Sequence, residues 1–486
     1  MVAIVLFVVA EVPALRGSEL RHEIDRLLAH PNLANAAVGV CVGSVTHGDI
    51  LYSRAADTAL IPASNTKLVT SASALAFLGP DWSFETQAGY YGELRSDGVL
   101  DGDLVLRGGG DPCLQSGFCN GDALEVLRRL ARSIKAAGVK RVSGSLIVDA
   151  SCFDSEYVGP SWPMNQLNLT YCAPVSGLSF NNNCLRVDCD TSGPAGGRAK
   201  VALWPATAHY RVESGLELVA ERGVNQIALT RSDEQRRVRV RGKSSAGGGQ
   251  RSFLVPVRDP PDFVGSVFLA LLSEEQIVVT GNLRRASADE EGRPFQVTGC
   301  HRSPLVDALQ VMNKESDNGV AEHVFKAVGA RRFGVGSFAT GSRAVQHLFR
   351  SLGVDAPEAR FVDGSGLSRE NRISPRALVR LMTWMIDGPY GEIYGDSLAA
   401  AGTEGTLAQR MTGPELRARV RAKSGYLREV SALAGFARTA ADETLAFSIL
   451  INGFSGSNRI MKQIQDDICR ELVRFERGRG DARAGG

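Results

Sequence analysis

The stretch "IPASNTKLVTSASALAFLG", residues 61–79, decides how the rest of the chain is read. Apolar positions Leu68, Ala72, Leu75 and Ala76 recur at helical spacing, Pro62 and Ser64 mark an entry, and Gly79-Pro80 marks an exit. The segment is therefore expected to be a helix with Ser64 and Lys67 at its mouth. Residues three apart share a helix face, so the Lys67 amine can reach back to the Ser64 hydroxyl. An amine beside a hydroxyl is a base beside a nucleophile wherever that face looks into a cleft. Taken alone, the same pair reads first as an N-cap serine and a solvated lysine, and the rest of the chain has to decide.

A length of 486 residues provides for about three domains' worth of core. The formal net charge is +2, hydrophobic content is 44%, and no long run of one sign occurs, so composition points to a globular chain and away from nucleic acid or disorder. The first ten residues, "MVAIVLFVVA", are continuously apolar but too short to span a bilayer, and they lack a basic leading segment. Residues 1–20 are read either as a truncated signal peptide or as an N-terminal strand or helix, with export to a periplasm or the cell exterior favoured. Six of the nine cysteines fall between Cys113 and Cys189. The close pairs Cys113/Cys119 and Cys184/Cys189 suggest small disulfide loops formed in an oxidising compartment, with reduced, partly buried thiols as the alternative. There is no C-x-x-C, and the seven histidines show no ligand spacing, so no metal site is expected.

Residues 36–54 read as two strands with a turn at His47-Gly48-Asp49. From about 86 to 295 the texture becomes β-rich, with short runs such as "DLVLRGG", "GSLIVDAS", "CLRVDC" and "RRVRVRG" between Gly, Pro, Asn and Asp. Helical periodicity returns at "PLVDALQVMNKESDNGVAEHVFKAVGA". Near the end come two antiparallel strands, "LAGFARTA" and "LAFSILING", then an amphipathic helix over "NRIMKQIQDDICRELVRFE". The expected class is α+β: a catalytic unit from residues 21–85 and 296–476, split by an insert of one or two subdomains at 86–295. The polar tail, 477–486, is expected to be disordered, and "RGGGDP" at 107–112 to be a turn rather than a phosphate cradle.

A serine hydrolase needs a base in reach of the nucleophile, a route for returning the proton, and donors aimed at the oxyanion. No G-x-S-x-G elbow occurs. Two further triplets do: Ser316-Asp317-Asn318 between two helical segments, and Lys423-Ser424-Gly425 at the end of the strand-like "RARVRAK". S-x-x-K at a helix start, S-x-N in an interhelical loop and K-[ST]-G on a strand, in that order, match the three-motif serine acyltransferases in residues and in context.

The chain resembles the penicillin-binding D-alanyl-D-alanine carboxypeptidase/endopeptidase family that carries a large insertion after the S-x-x-K helix. The blocks "PASNTKLVTSASALAFLGPDWSFET", "YCAPVSGLSFNNN", "MNKESDNGVAEHVFK", "DGSGLSRENRIS", "GTEGTLAQRM" and "KSGYLREVSALAGFA" all read like that family's, in its order. The resemblance implies a β-lactamase/transpeptidase-like fold and hydrolysis of D-Ala-D-Ala termini in peptidoglycan stem peptides, with β-lactams as inhibitors and no cofactor. It implies Ser64 as nucleophile, Lys67 as its base with a pKa depressed by burial and by Lys423, and Ser316 as proton relay. Asn318 would hold the substrate amide, Lys423 and Ser424 the terminal carboxylate, and the N–H groups of Ser64 and Tyr426, next to Gly425, the oxyanion. "DGSGLSREN" is read as a scaffolding loop near the cleft, and "YCAPVSGLSFNNN" as structural. A β-lactamase begins with the same acylation and differs in how fast water deacylates it. A non-catalytic wall-binding protein is the alternative of a different class, which has no need of a nucleophile and base together.

Overall fold

The structure is a computed structural model that describes residues 15–478. The apolar stretch at residues 1–10 and most of the polar tail lie outside the described residues.

The described chain opens with α1 (Gly17–Leu28), β1 (Ala37–Ser44) and β2 (Ile50–Arg54). A 3-10 turn over Ala63–Asn65 then feeds α2 (Thr66–Phe77). After the insert come α3 (Leu305–Lys314), α4 (Asn318–Phe333), α5 (Phe338–Ser351) and α6 (Pro375–Asp387). The chain closes with β3 (Ala399–Ala400), β4 (Val420–Leu427), β5 (Val430–Arg438), β6 (Thr444–Asn452) and α7 (Asn458–Arg474).

The six strands form one antiparallel sheet in the order β3-β4-β5-β6-β1-β2, so the N-terminal strands complete a sheet begun by the C-terminal ones. Alternation along β1 explains how both faces are covered. Val38, Val40 and Val42 pack with Leu20, Ile24, Ile464, Ile468 and Leu472 of α1 and α7. Cys41 faces the opposite core, built on α2 to α6. Gly39 lies on that second face, and a Cβ there would come within 2.7 Å of Pro375, so the missing side chain lets α6 seat on the sheet.

The insert has its own core and a seven-stranded mixed sheet, with helices over Glu125–Ala136 and Pro260–Glu274 and two three-stranded sheets beyond it. The strand Gln296–Pro304 pairs with Ser83–Leu94 in this sheet, so the insert's pairing extends past the 85/86 and 295/296 boundaries expected from sequence. The backbone N–H groups of Gly109 and Gly110 are spent on the Glu85 and Gly177 carbonyls, which makes the glycine run a packed turn.

Two expectations need correction. All nine cysteines are free thiols. Cys184 and Cys189 sit at opposite ends of one extended strand, where a rise of about 3.3 Å per residue puts them beyond disulfide reach. Cys119 turns its thiol to the Cys113 carbonyl oxygen, 3.6 Å away. The expected disorder of the tail does not begin at Arg477, whose guanidinium pairs with Asp49 at 2.5 Å and Glu443 at 2.9 Å.

Candidate active site

The three motifs meet at one end of α2. Ser64 occupies the 3-10 turn rather than capping the helix, and Ala63 before it holds φ at +47°, a left-handed conformation that costs an alanine about 1–2 kcal/mol. The turn is gripped from two sides. Gly366 approaches so closely that a Cβ would sit 1.8 Å from the Ala63 carbonyl oxygen, and on β4 a Cβ at Gly425 would sit 3.0 Å from the Ser64 nitrogen. A side chain at either glycine would crowd the turn that carries Ser64.

Lys67, on the first turn of α2, is fully buried. Its Nζ donates to Ser64 Oγ at 3.1 Å, Asn318 Oδ1 at 2.8 Å and the Ser365 carbonyl at 2.8 Å. All three acceptors are neutral. Burial lowers the amine to about 8, and the more distant carboxylates of Glu322, Asp317 and Asp363 oppose the shift. The expected influence of Lys423 on Lys67 appears instead in the other direction. Lys423 is held well below the ordinary lysine range by burial first and by the Lys67 charge second.

Ser316 lies between α3 and α4 with φ +63°. Its hydroxyl accepts from Lys423 Nζ at 2.9 Å rather than from Lys67, so the two lysines serve different serines. Asp317 N-caps α4 through the Val320 N–H at 2.9 Å, which fixes Asn318 at the first helical position. Both ends of the Asn318 amide are used, since its Nδ2 donates to the Tyr171 carbonyl of the insert at 3.0 Å. Lys423, Ser424, Gly425 and Tyr426 all lie on β4. Ser424 Oγ donates to Thr406 Oγ1 at 2.9 Å, and the Tyr426 ring is exposed.

The loop 363–371 positions Lys67. Its Ser365 carbonyl takes the lysine amine, while Asp363 accepts from the Gly366 and Ser368 N–H groups, Asn371 Nδ2 and Trp162 Nε1. Beneath it the buried Glu322 carboxylate accepts the Gly364 and Ser365 N–H groups at 2.7 and 2.8 Å. Burial and the neighbouring Asp363 push Glu322 above the ordinary carboxylate range. Sequence reasoning missed Glu322, although it lies one helical turn after Asn318 on the same face. It also missed Trp162, Tyr171 and Thr406, whose roles depend on contacts between distant segments.

Ser64 opens onto a cleft of about 420 Å³ walled by Ser161, Tyr171 and Asn318 on one side and by Arg369, Tyr426 and Arg428 on the other. That volume suits a short peptide. Among the described residues no cluster of His, Cys, Asp or Glu has the make-up of a metal site, and no helix is long and apolar enough to cross a membrane.

A serine at a helix mouth, a buried lysine one turn on, and a second lysine–serine pair on a facing strand have the make-up of a serine acyltransferase site. The model of the D-Ala-D-Ala carboxypeptidase 3 (S13) family matches residues 20–474, and the chain belongs to that family. It is 32% identical to the D-alanyl-D-alanine carboxypeptidase of Actinomadura sp. (strain R39) over 478 residues, covering 96% of this chain and 86% of that one. It is 28% identical to D-alanyl-D-alanine carboxypeptidase DacB of Haemophilus influenzae, covering 90% and 89%. The crystal structure of penicillin binding protein 4 (dacB) from Haemophilus influenzae superposes with a TM-score of 0.80 at 25% identity, covering 93% of this chain and 99% of that one. The same protein complexed with a novel β-lactam gives a TM-score of 0.76.

Proposed function

We propose that the protein is a serine D-alanyl-D-alanine carboxypeptidase that removes the terminal D-alanine of peptidoglycan stem peptides, cleaves D-alanyl cross-links of the same chemistry, and is acylated by β-lactams at Ser64. The observation that carries this is the 3.1 Å contact between Ser64 Oγ and a buried lysine amine with no carboxylate in direct contact. We read residues 21–85 and 296–476 as the catalytic unit, 86–295 as its insert, and the wall-facing side of the cell envelope as its place of work.

In this reading neutral Lys67 takes the Ser64 proton as Oγ attacks the carbonyl of the penultimate D-alanine. Negative charge then develops beside the Ser64 N–H, at the start of α2, and the Tyr426 N–H on the free edge of β4. The proton returns through Ser316, held by Lys423, to the departing nitrogen, and the C–N bond breaks. Asn318 holds the substrate's backbone amide, and Lys423 with Ser424 receives the terminal carboxylate. Water resolves the acyl-enzyme and restores Ser64. A β-lactam acylates the same oxygen.

The test is intact mass after incubation with benzylpenicillin, for the parent and for Ser64→Ala. A stable adduct on the parent alone is expected. No adduct and no loss of penicillin would overturn the acyltransferase reading in favour of a binding protein, and rapid penicillin loss without adduct would identify a β-lactamase.

A further inference from the structure

Beyond Ser64, on the side away from the 420 Å³ cleft, a second cavity of about 340 Å³ is lined by Ser316, Ser424, Thr406, Arg410, Ser431 and Lys462, among others. Two of these come from the block "GTEGTLAQRM", which none of the roles above uses. We infer that Thr406 is a second hydroxyl donor to the substrate's terminal carboxylate, acting beside Ser424 in a pocket whose floor is fixed by Arg410. The inference rests on the acyl-enzyme reading above and adds a specificity-determining residue to it.

Three observations carry it. First, the Ser424 and Thr406 hydroxyl oxygens are 2.9 Å apart, a separation from which each can serve one oxygen of a single carboxylate. One of their two protons lies between them, and the Thr406 hydroxyl makes no other hydrogen bond among the described residues. A pair of hydroxyls with a proton to spare suits an anion better than a hydroxyl bonded elsewhere.

Second, the turn carrying Thr406 is built against the catalytic machinery. Gly405 has φ +48°, and a Cβ there would lie 2.2 Å from the Lys314 carbonyl oxygen at the end of α3, two residues before Ser316. Lys314 Nζ also pairs with Glu404 at 3.1 Å. Thr406 therefore moves with the loop that carries Ser316.

Third, Arg410, four residues further on, is almost fully buried and ties the segment to α7, through Asp466 at 2.6 Å and Gln465 at 3.1 Å. Gln465 in turn donates to Ser431 on β5 at 3.1 Å. The Arg410 Nη1 group has no hydrogen-bond partner among the described residues. The ion pair with Asp466 balances its charge, which leaves a buried donor on a residue that lines the same pocket as Ser316 and Ser424. Such an orphan is expensive in a merely structural arginine and fits a wall shaped for an anion.

The experiment compares two ligands that engage Ser64, one with a carboxylate and one without. Benzylpenicillin acylation rates and phenylboronic acid affinities would be measured for the parent, Thr406→Val and Thr406→Ser. The expected result is a loss of about tenfold in the penicillin rate for Thr406→Val, recovery to near the parent in Thr406→Ser, and unchanged boronic acid affinity in both. An unchanged penicillin rate in Thr406→Val overturns the inference, as does a parallel loss with both ligands, which would mark a structural residue. If the parent itself forms no Ser64 adduct with penicillin, the acyl-enzyme reading falls and this inference falls with it; a parent that acylates normally confines failure to Thr406.

Discussion

Lys67 and Lys326 are both fully buried, and both amines are lowered by burial, yet their partners differ in kind. At the junction between α4 and the insert, Lys326 Nζ meets the Asp154 carboxylate at 2.8 Å and the Glu156 carbonyl at 2.6 Å, and it lies 4.4 Å from the centre of the Phe338 ring. In the cleft, Lys67 meets a hydroxyl, an amide oxygen and a peptide carbonyl. The carboxylate that most favours its charged form, Glu322, is turned onto the peptide N–H groups of Gly364 and Ser365. A lysine that fastens two parts of a protein keeps its counter-ion in contact. Lys67, the base in the reading proposed above, is surrounded by neutral oxygens, and a carboxylate is kept one peptide away.

The sharpest way to break this contrast is to exchange chemistry while keeping charge. Lys67→Arg places a permanently protonated group in the same space, so acylation by benzylpenicillin should fall by about a thousandfold or more, as far as in Lys67→Ala. A rate within tenfold of the parent would remove Lys67 as the base.

A smaller effect is expected in the pH profile. Neutral Lys67 is the reactive form, so the acylation rate of the parent should climb through about pH 8, well below the ordinary lysine range. Glu322→Gln removes a carboxylate that favours the ammonium, and the midpoint should shift downward by roughly half a unit. An upward shift would mean that Glu322 acts on Lys67 only through loop position. The same group leaves a mark on stability. Lys67 titrates near 8 in the fold against 10.5 in the unfolded chain, so between those values the unfolded chain binds more protons. The contribution of Lys67 to stability therefore rises with pH across that window.

The smallest catalytic effect belongs to Lys326→Met. Acylation should stay within about twofold, while unfolding stability drops by about 2 kcal/mol. That is less than a fully buried pair would lose, because Asp154 remains 30% exposed and can be hydrated. Denaturant titration beside the penicillin rate separates the two readouts. A tenfold fall in rate would place Lys326 in the catalytic machinery after all.

The parts of this molecule that were legible in the sequence are those encoded within one or two helical turns. The apolar period of α2 brings Lys67 back toward Ser64, Asp317 caps the helix that starts at Asn318, and the alternation after Arg417 puts Lys423 on a strand. What stayed hidden depends on parts of the chain distant in sequence. Tyr171 contributes a main-chain carbonyl, which leaves no trace in residue type. Glu322 is a lone acid within an otherwise buried helix, and its meaning appears only when the 363–371 loop settles on it. The cysteine spacing misled for the opposite reason: Cys184 and Cys189 are close in sequence, and an extended strand carries them apart.

The position of β1 governs how the chain comes together. Its register runs from Ala37 opposite Asn452 to Ser44 opposite Leu445, and Leu15 bridges to Phe475. The strand β1 is thus made well before its sheet partner β6, and it waits for residues 444–452 to be synthesised. The insert, whose strands pair among themselves, is free to close earlier. Non-local pairing of this kind slows folding and leaves an apolar strand uncovered in the meantime, so the burden of staying unaggregated falls on residues 37–54 until β6 has been synthesised.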